Sequence, residues 1–388
     1  MRNRAAPTIA VLFAASSLWA ASACGSFSAA DDPTQPGDAA GGAAEGAADG
    51  PGGDGSIGAG DGATGGPGRR IYVVGGETPD ITKDAGVSFT NRVFYTTRQS
   101  DGALAPWTET TAVLSHGHGY ASVASSGAIV TLGGEVDTPA GATAIPYTSR
   151  AAVLPGGTLD TWVDTQALPD PLYFHASVAV NGLVYVIGGS KPGTGPLAKV
   201  RFASLAPEGK IGTWTETAPL PVPRSRVAAA TDGAHIFVVG GFPPAGGNSC
   251  EPEVLVGTIA PDGQIAAWAP TGVTVASRSP AVAVFAKKLY VTGGIDCVTG
   301  ITKTVQIAAI KPDGTLAPFT AGAVLPVERY GHGAVVLGSQ LYVVGGNDGT
   351  TSVPSVSVAN LGANGDYDTW RDTSALPVGL AYFGIAAH

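Results

Sequence analysis

The stretch Leu341-Tyr342-Val343-Val344-Gly345-Gly346, an apolar run that ends in two glycines, decides the fold of this 388-residue chain. The same pattern occurs six times, and the first glycines of successive copies lie 52 to 58 residues apart. The copies are Ile71–Gly76, Ile129–Gly134, Leu183–Gly189, Ile236–Gly241, Leu289–Gly294 and Leu341–Gly346. A nearly constant period of this length indicates a repeat architecture in which each unit packs against the next.

A second sequence marker occurs once in each of the six units. It is a turn glycine followed five residues later by an aromatic residue, and its copies are Gly102/Trp107, Gly157/Trp162, Gly209/Trp214, Gly263/Trp268, Gly314/Phe319 and Gly365/Trp370. Each unit also contains four short runs that suit strands; in residues 172–217 they are His175–Val180, Leu183–Ile187, Val200–Ala206 and Lys210–Thr217. Turn signals such as Asn181-Gly182 separate these runs. The sequence therefore predicts an all-β fold with four antiparallel strands per unit.

The runs before each glycine pair are continuously apolar, which is typical of a sheet that is covered on both faces. Sheets packed side by side around an axis provide that cover. The last run, Ala381–His388, has no glycine pair after it, whereas Arg70–Thr110 supplies three strands. We therefore expect the terminal run to be the inner strand of the first sheet, which removes an open sheet edge.

These residues resemble the kelch repeat, which is marked by Gly-Gly after an apolar strand, a downstream Trp, and an Arg and a His before the next such strand. The best match runs from Arg329-Tyr330-Gly331-His332 to Gly346, and the resemblance covers residues 69–388. Other units lack the Arg or the His, as at Val227 and Pro280. The resemblance implies a six-bladed kelch-type β-propeller, closed by N- and C-terminal strands that share one blade.

Residues 1–24 are typical of an export signal. Arg2 and Arg4 precede an apolar run, Ile9–Ala21, that is too short to span a bilayer. The run ends in Ala21-Ser22-Ala23-Cys24, which resembles a bacterial lipobox and predicts lipid attachment at Cys24. Ordinary cleavage before Cys24 is the alternative. We expect a location in the bacterial cell envelope, with membrane contact only through the lipid, or secretion.

Residues 25–68 are rich in Gly, Ala and Asp and are predicted to be a disordered linker, because they contain too little apolar surface to offset their ordering entropy. Seven of the 30 acidic residues of the chain lie there, without any Lys or Arg. Residues 69–388 then carry 23 acidic and 19 basic residues. The domain has no basic stripe to follow a phosphate backbone, so we exclude nucleic acid as a partner.

The long connections of such sheets, after each glycine pair and between sheets, should share one face, which is where binding residues are favoured. The candidate binding face comprises His116, His118, Tyr173, His175, Arg224, Arg226, Arg278, Glu328, Arg329, Tyr330, His332 and Tyr382. Guanidinium groups bind carboxylates and aromatic rings stack on sugars, so this set suits a carboxylate or a carbohydrate. Alternatively, the arginines and histidines serve only as hydrogen-bond partners of neighbouring loops.

Two cysteines, Cys250 and Cys297, and the His116-x-His118 pair are candidates for a disulfide and a metal site. Cys250 and Cys297 follow glycine pairs of adjacent units, and an exported protein meets an oxidising medium, so we expect a disulfide between them. Two unpaired thiols are the alternative. The histidine pair can seed a metal site, but no complete ligand set is readable. We therefore predict no metal and no cofactor.

The sequence favours binding over catalysis because it contains no nucleophile elbow, phosphate loop, zincin helix or dinucleotide fingerprint. We expect a monomeric module that binds a protein or glycan. One alternative is a sugar epimerase or mutarotase, since the resemblance extends to a bacterial sialic acid epimerase that needs no metal; Glu328 or Glu135 would then act as the base. The other alternative is a structural envelope protein without a small ligand.

Overall fold

The computed structural model describes residues 70–80, 86–110, 122–124, 127–138 and 141–388. The predicted signal segment with Cys24, the predicted linker and the His116/His118 pair lie outside these ranges. Within the described ranges, no helix is long and apolar enough to cross a membrane.

The described residues form six four-stranded antiparallel sheets, numbered here in chain order and given from inner to outer strand. Sheet 1 comprises Gly384–Ala387, Arg70–Val74, Val93–Thr97 and Thr108–Glu109, and sheet 2 comprises Ser122–Ala124, Ala128–Leu132, Thr148–Ala152 and Val163–Asp164. Sheet 3 comprises Ala176–Val180, Leu183–Ile187, Val200–Ser204 and Thr215–Thr217, and sheet 4 comprises Ala228–Thr231, His235–Val239, Glu253–Ile259 and Ile265–Thr274. Sheet 5 comprises Ala281–Phe285, Lys288–Thr292, Val305–Ala309 and Thr320–Ala321, and sheet 6 comprises Gly333–Leu337, Gln340–Val344, Val356–Asn360 and Arg371–Asp372.

Short strands follow the glycine pairs of four sheets. They are Glu77–Asp80 with Gly86–Phe89, Glu135–Thr138 with Gly141–Ala144, Ser190–Lys191 with Gly195–Pro196, and Ser277–Arg278 with Ile295–Asp296 and Gly300–Ile301. Apart from Ser277–Arg278, which precedes sheet 5, these additional strands lie in the second connection of each sheet, after its glycine pair.

The two ends of the described domain meet in sheet 1. Gly384–Ala387 pairs antiparallel with Arg70–Val74, with Ala387 opposite Ile71. The backbones of Arg70 and His388 exchange two hydrogen bonds, of 2.7 and 2.9 Å. Each inner strand contacts the inner strand of the following sheet, and the inner strand of sheet 1 contacts those of sheets 6 and 2.

The hydrophobic core lies between neighbouring sheets rather than at one centre. Tyr342 and Val344 of sheet 6, for example, pack with Ile71 and Val73 of sheet 1. Strand Gln340–Val344 is buried at all five positions. The continuously apolar strands are therefore explained by cover on both faces, as the sequence predicts.

The glycine pairs are required because each lies against the next sheet. Gly345 has φ 59°, and a Cβ placed there would lie 2.6 Å from the carbonyl oxygen of Leu380. The N–H of Gly346 donates to the same carbonyl at 2.8 Å. The second glycines of other sheets make equivalent bonds: Gly134 to Leu172, Gly189 to Arg224, Gly241 to Ser277, and Gly294 to Arg329.

A buried tyrosine links several sheets to the turn glycine of the next one. The Tyr342 hydroxyl donates to the carbonyl of Gly102 at 2.7 Å, and the equivalent bonds are Tyr72 to Gly157, Tyr185 to Gly263 and Tyr290 to Gly365. Burial raises the pKa of Tyr342 to about 12, so this hydroxyl remains a donor at neutral pH. The tyrosines thus give the turn glycines a second role, as partners of the neighbouring sheet.

The aromatic residue of the second marker also joins neighbouring sheets. The Trp107 indole N–H donates to the carbonyl of Ser374 at 2.8 Å. The corresponding bonds are Trp214 to Gln166, Trp268 to Ala218 and Trp370 to Ala323. Each ring is therefore held against the connection that precedes its own sheet.

Candidate functional site

A chain of backbone hydrogen bonds links the segments that directly precede the inner strands of sheets 3, 4, 5, 6 and 1. It is formed by Phe174, Arg226, Ser279, Gly331 and Tyr382, which we call the collar. From Arg226 to Tyr382, the N–H of each residue donates to the carbonyl of the preceding member, over 2.6 to 3.1 Å. All five have positive φ, between 50° and 59°.

Four of the five collar residues are not glycine, although this left-handed backbone region favours glycine. Such a conformation costs about 1 kcal/mol or more per residue and persists only where the surrounding structure imposes it. The hydrogen bonds between neighbouring sheets impose it here. The collar therefore holds the side chains of Phe174, Arg226 and Tyr382 in fixed positions next to the starts of the inner strands.

The residue before each collar residue pairs with the residue that follows a glycine pair. The bridged pairs are Tyr173 with Ser190, Ser225 with Phe242, Arg278 with Ile295, Tyr330 with Asn347, and Ala381 with Glu77. This pairing brings the connections between sheets and the segments after the glycine pairs onto one face.

A pocket of about 410 Å³ lies on this face beside the collar. We call it the rim pocket; its lining residues are Glu77, Arg226, Phe242, Gly247, Arg278, Ile295, Tyr330 and Tyr382. It combines two guanidinium groups, one carboxyl group and three aromatic rings. A site of this size and composition can hold a small polar ligand that has one flat face.

Arg226 is fixed by its collar neighbours. Its guanidinium lies 3.9 Å from the centre of the Phe174 ring, and Nη1 donates to the Tyr382 hydroxyl at 2.6 Å. The same hydroxyl lies 3.3 Å from Ser279 Oγ. Burial raises the pKa of Tyr382, so its hydroxyl is neutral at physiological pH and accepts from Arg226. Arg226 therefore presents a fixed positive charge to the pocket.

Arg278 also lines the rim pocket and has N–H donors left for a ligand. Its Nη2 donates to Asn248 Oδ1 at 3.0 Å, and Nη1 makes a longer contact of 3.5 Å with the Gly247 carbonyl. The guanidinium lies 5.7 Å from the centre of the Phe242 ring. Two of its five N–H donors are used by described residues, which leaves three for a ligand.

Glu77 supplies the carboxyl group of the rim pocket. Its backbone is fixed by two hydrogen bonds with Ala381, of 2.7 and 2.9 Å. Among the described residues, its carboxyl group has no hydrogen-bond partner. Burial raises the pKa of Glu77, and the charge of Arg226 lowers it by a smaller amount. A hydroxyl or amine of a ligand would satisfy this acceptor.

Two predicted face arginines are buried, which corrects their assignment. Arg329 has no exposed surface, and its Nη1 donates to the carbonyls of Gly345 and Ser355 at 2.8 and 3.2 Å. Arg224, also fully buried, donates to the carbonyls of Gly240 and Glu253. Both side chains hold the glycine-pair segments in place and do not reach the face.

The two histidines of the predicted face that the structure describes are also inside the protein. His175 and His332 are 5% and 7% exposed, and Thr292 Oγ1 lies 2.9 Å from Nε2 of His332. Burial lowers the pKa of His175 to about 4 and that of His332 to about 3. These rings are neutral at pH 7. They do not line the rim pocket, but both line a smaller pocket of about 140 Å³ that the collar residues also line.

The remaining predicted residues divide into three groups. Arg226, Arg278, Tyr330 and Tyr382 line the rim pocket. Tyr173 is half-buried beside Phe174, with ring centres 5.1 Å apart, and Glu328 is exposed away from the pocket lining. His116 and His118 lie outside the described residues.

Sequence reasoning did not select Glu77 or Phe242. Both directly follow a glycine pair, and this position pairs with the residue before the collar in every described case. The repeat position was therefore the signal that could have found them.

Cys250 and Cys297 form a disulfide with a Cα–Cα distance of 5.9 Å, as predicted. It joins the segments that follow the glycine pairs of sheets 4 and 5. Gly247 and Ile295, close to the two cysteines in sequence, line the rim pocket. The disulfide therefore lies at one edge of the candidate site. In the part of the chain that the structure describes, no three His, Cys, Asp or Glu side chains group closely enough to hold a metal ion.

Comparison with known proteins agrees with this architecture. The model of the Kelch motif matches residues 328–358. The solved structure of YjhT has a TM-score of 0.57 and 12% sequence identity, and the match covers 78% of this chain and 97% of that chain. The chain is therefore similar to kelch-repeat proteins in sequence and to YjhT in fold.

Two relatives show how far the similarity reaches. Kelch-like protein 38 of Mus musculus is 25% identical over 292 residues, which cover 64% of this chain and 47% of that protein. Beta-scruin of Limulus polyphemus is 28% identical over 220 residues, or 55% of this chain and 23% of that protein. The chain thus spans less than half the length of either relative.

Proposed function

We propose that residues 69–388 form a six-bladed propeller, closed by its terminal strands, that binds a ligand through its loop-rich face. The six four-stranded sheets, the pairing of Ala387 with Ile71 and the ring of inner-strand contacts support this arrangement. Kelch propeller domains are generally binding modules. The rigid collar and the irregular segments around it provide the kind of surface on which such binding is expected.

The ligand that the rim pocket fits best is a small acidic carbohydrate. Two observations carry this proposal: among the described residues the Glu77 carboxyl group has no hydrogen-bond partner, and Arg278 has N–H donors that those residues do not use. Arg278 would bind the carboxylate of the ligand, and Glu77 would accept a hydrogen bond from a hydroxyl. The exposed part of the Tyr330 ring would pack against the sugar ring. Ligand sites typically occupy about 300–1,000 Å³, and this pocket lies within that range.

Calorimetry with D-glucuronate as the probe and D-glucose as its uncharged counterpart tests the proposal. We expect glucuronate to bind more tightly than glucose, and Arg278→Ala to weaken glucuronate binding at least about tenfold, since a charged hydrogen bond contributes about 1.5–3 kcal/mol. Arg150→Ala is the matched control, because Arg150 donates to the Glu208 carbonyl in a hairpin turn of the opposite face.

Equal affinity for the two sugars, or an unchanged Arg278→Ala variant, would refute the acidic-carbohydrate proposal. Specific co-purification of an envelope protein, lost on substitution of a rim-pocket residue, would point to a protein ligand instead. A purely structural role would be favoured if no glycan of a panel binds and if a co-purified protein partner still binds variants with substitutions in the rim pocket.

A second candidate function is sugar epimerisation or mutarotation. The observation that favours it is the Glu77 carboxyl group, whose raised pKa suits proton transfer to and from a bound sugar. The two predicted bases, Glu328 and Glu135, are not among the residues that line the rim pocket. Nuclear magnetic resonance of sialic acid anomers with added protein measures the activity. Glu77→Gln should abolish any acceleration while sugar binding persists; retained acceleration would exclude Glu77 as the base.

We also propose export and attachment to the bacterial cell envelope through Cys24. The lipobox-like residues 21–24 support this, and so does the disulfide, since disulfides persist in oxidising compartments. Labelling of cells with palmitate and fractionation test it. Cys24→Ala should lose the label and release the protein from the membrane fraction; an unlabelled parent protein would indicate plain secretion.

A further inference from the structure

The disulfide anchors one end of a loop that contributes Gly247 to the rim pocket. The loop runs from Pro243 to Cys250, and a hydrogen bond of 3.0 Å from the N–H of Glu251 to the Gly241 carbonyl closes its base. Gly246 and Gly247 have φ of 68° and 67°, and neither has another atom within 4 Å of where a Cβ would be. Two consecutive glycines in open space give this loop a large conformational entropy in the absence of restraints.

The restraints come from sheet 5 and meet at Asn248. The disulfide joins Cys250 to Cys297, and Asn248 Nδ2 donates to the Cys297 carbonyl at 3.2 Å. Asn248 Oδ1 accepts the hydrogen bond from Arg278 Nη2 at 3.0 Å. Asn248 therefore connects the disulfide-linked backbone to the guanidinium that lines the pocket.

Arg278 has no other strong anchor for its guanidinium among the described residues. Its remaining hydrogen bond, at 3.5 Å, is to the carbonyl of Gly247 in the same loop. A long side chain with several rotatable bonds loses much entropy when it is held, so a pre-positioned guanidinium binds an anion better than a free one. Both anchors of Arg278 depend on the position of the loop.

We propose that Asn248, held in place by the Cys250–Cys297 disulfide, is the positioning residue that fixes the Arg278 guanidinium in the rim pocket. The disulfide is then part of the binding site's geometry as well as a support of the fold. The consequence for affinity rests on the proposed function, because it assumes that the pocket binds an anionic ligand. The positioning itself does not, since it concerns two side chains of the free protein.

The first measurement is the nitrogen spectrum of the Arg278 guanidinium, assigned with an Arg278→Lys variant. We expect separate Nη1 and Nη2 signals in the parent protein, because a held guanidinium rotates slowly. The signals should merge in Asn248→Ala and in the double variant Cys250→Ser/Cys297→Ser. Asn248→Asp keeps the acceptor and should keep the signals separate. Asn364→Ala, in an exposed hairpin turn, is the control and should change nothing.

The second measurement is glucuronate affinity in the same variants. We expect Asn248→Ala and the double cysteine variant to bind about tenfold more weakly, and Asn248→Asp to bind within about twofold of the parent protein. Separate Nη signals that persist in Asn248→Ala would overturn the proposal. If the double variant does not fold, Asn248→Ala and Asn248→Asp still decide the matter. If the parent protein does not bind glucuronate, the proposed ligand is wrong. The guanidinium signals still test the positioning of Arg278 in that case.

Discussion

The free energy of unfolding should fall steeply between pH 6.5 and pH 5 because of the two buried histidines. Burial holds the pKa of His175 at about 4 and that of His332 at about 3, against about 6.5 in an unfolded chain. Between these values the unfolded state binds protons that the folded state does not, so stability is complete above pH 6.5 and decreases as the pH falls.

The magnitude follows from the size of this window. A pH of 5 lies about 1.5 units below the pKa of an unfolded histidine and still above the pKa of either folded one. Each histidine should therefore lower the free energy of unfolding by about 2 kcal/mol. The two together should remove about 4 kcal/mol. This is a large part of the 5–15 kcal/mol that is typical of domains.

Urea denaturation at pH 7.5, 6.5 and 5.0 measures the effect. Glu77, whose pKa burial raises, works in the opposite direction, because the folded state binds its proton before the unfolded state does as the pH falls. Asp170, whose pKa its bonds to Lys191 and Arg201 lower to about 2, titrates far below this window. His332→Gln should remove about half of the pH dependence. The slope of the free energy of unfolding against urea concentration should be the same at each pH if unfolding remains two-state. A stability that is flat from pH 7.5 to 5.0, or an unchanged pH dependence in His332→Gln, would refute the reasoning.

Three further predictions concern contacts between sheets, each measured by urea denaturation at pH 7.5. Tyr342→Phe should cost about 1–3 kcal/mol, because it leaves the Gly102 carbonyl without its partner; a neutral effect would show that this bond contributes nothing. Gly345→Ala should cost several kcal/mol, whereas Gly246→Ala, with similar φ but open surroundings, should cost only about 1–2 kcal/mol; equal losses would contradict the proposed backbone clash. Arg329→Ala should destabilise by about 2–4 kcal/mol through the unpaired carbonyl and the cavity, with the relief of a buried charge keeping the loss moderate; a loss below 1 kcal/mol would contradict its structural role.

Much of the fold could be predicted because its determinants are local and repeated. A glycine pair must follow each second strand, since the next sheet's carbonyl occupies the space of a Cβ, as at Gly345. The four predicted strands of residues 172–217 correspond to those of sheet 3. The predicted outer strand, Lys210–Thr217, is longer than the observed Thr215–Thr217, because its first residues pair through a single bridge at Ile211.

The candidate site was predicted less well because it depends on burial across sheets. Arg278 and Arg329 occupy neighbouring positions of the repeat, one residue apart, yet Arg278 lines the pocket and Arg329 is enclosed. In an extended segment, neighbouring residues point to opposite sides. The sequence does not show which of the two positions faces the pocket, so it could not distinguish Arg278 from Arg329. Glu77 was missed for a related reason: its role depends on pairing with Ala381, which is 304 residues away in the sequence.

The pairing of Gly384–Ala387 with Arg70–Val74 sets an order of events during synthesis. Sheets 2 to 6 each draw on a continuous stretch of chain and can assemble while translation proceeds. Sheet 1 must wait until residues 384–387 have left the ribosome, so its second strand remains an open edge for the whole interval. An unpaired strand of this kind can pair with another chain, so the risk of aggregation lasts until residues 384–387 pair with residues 70–74.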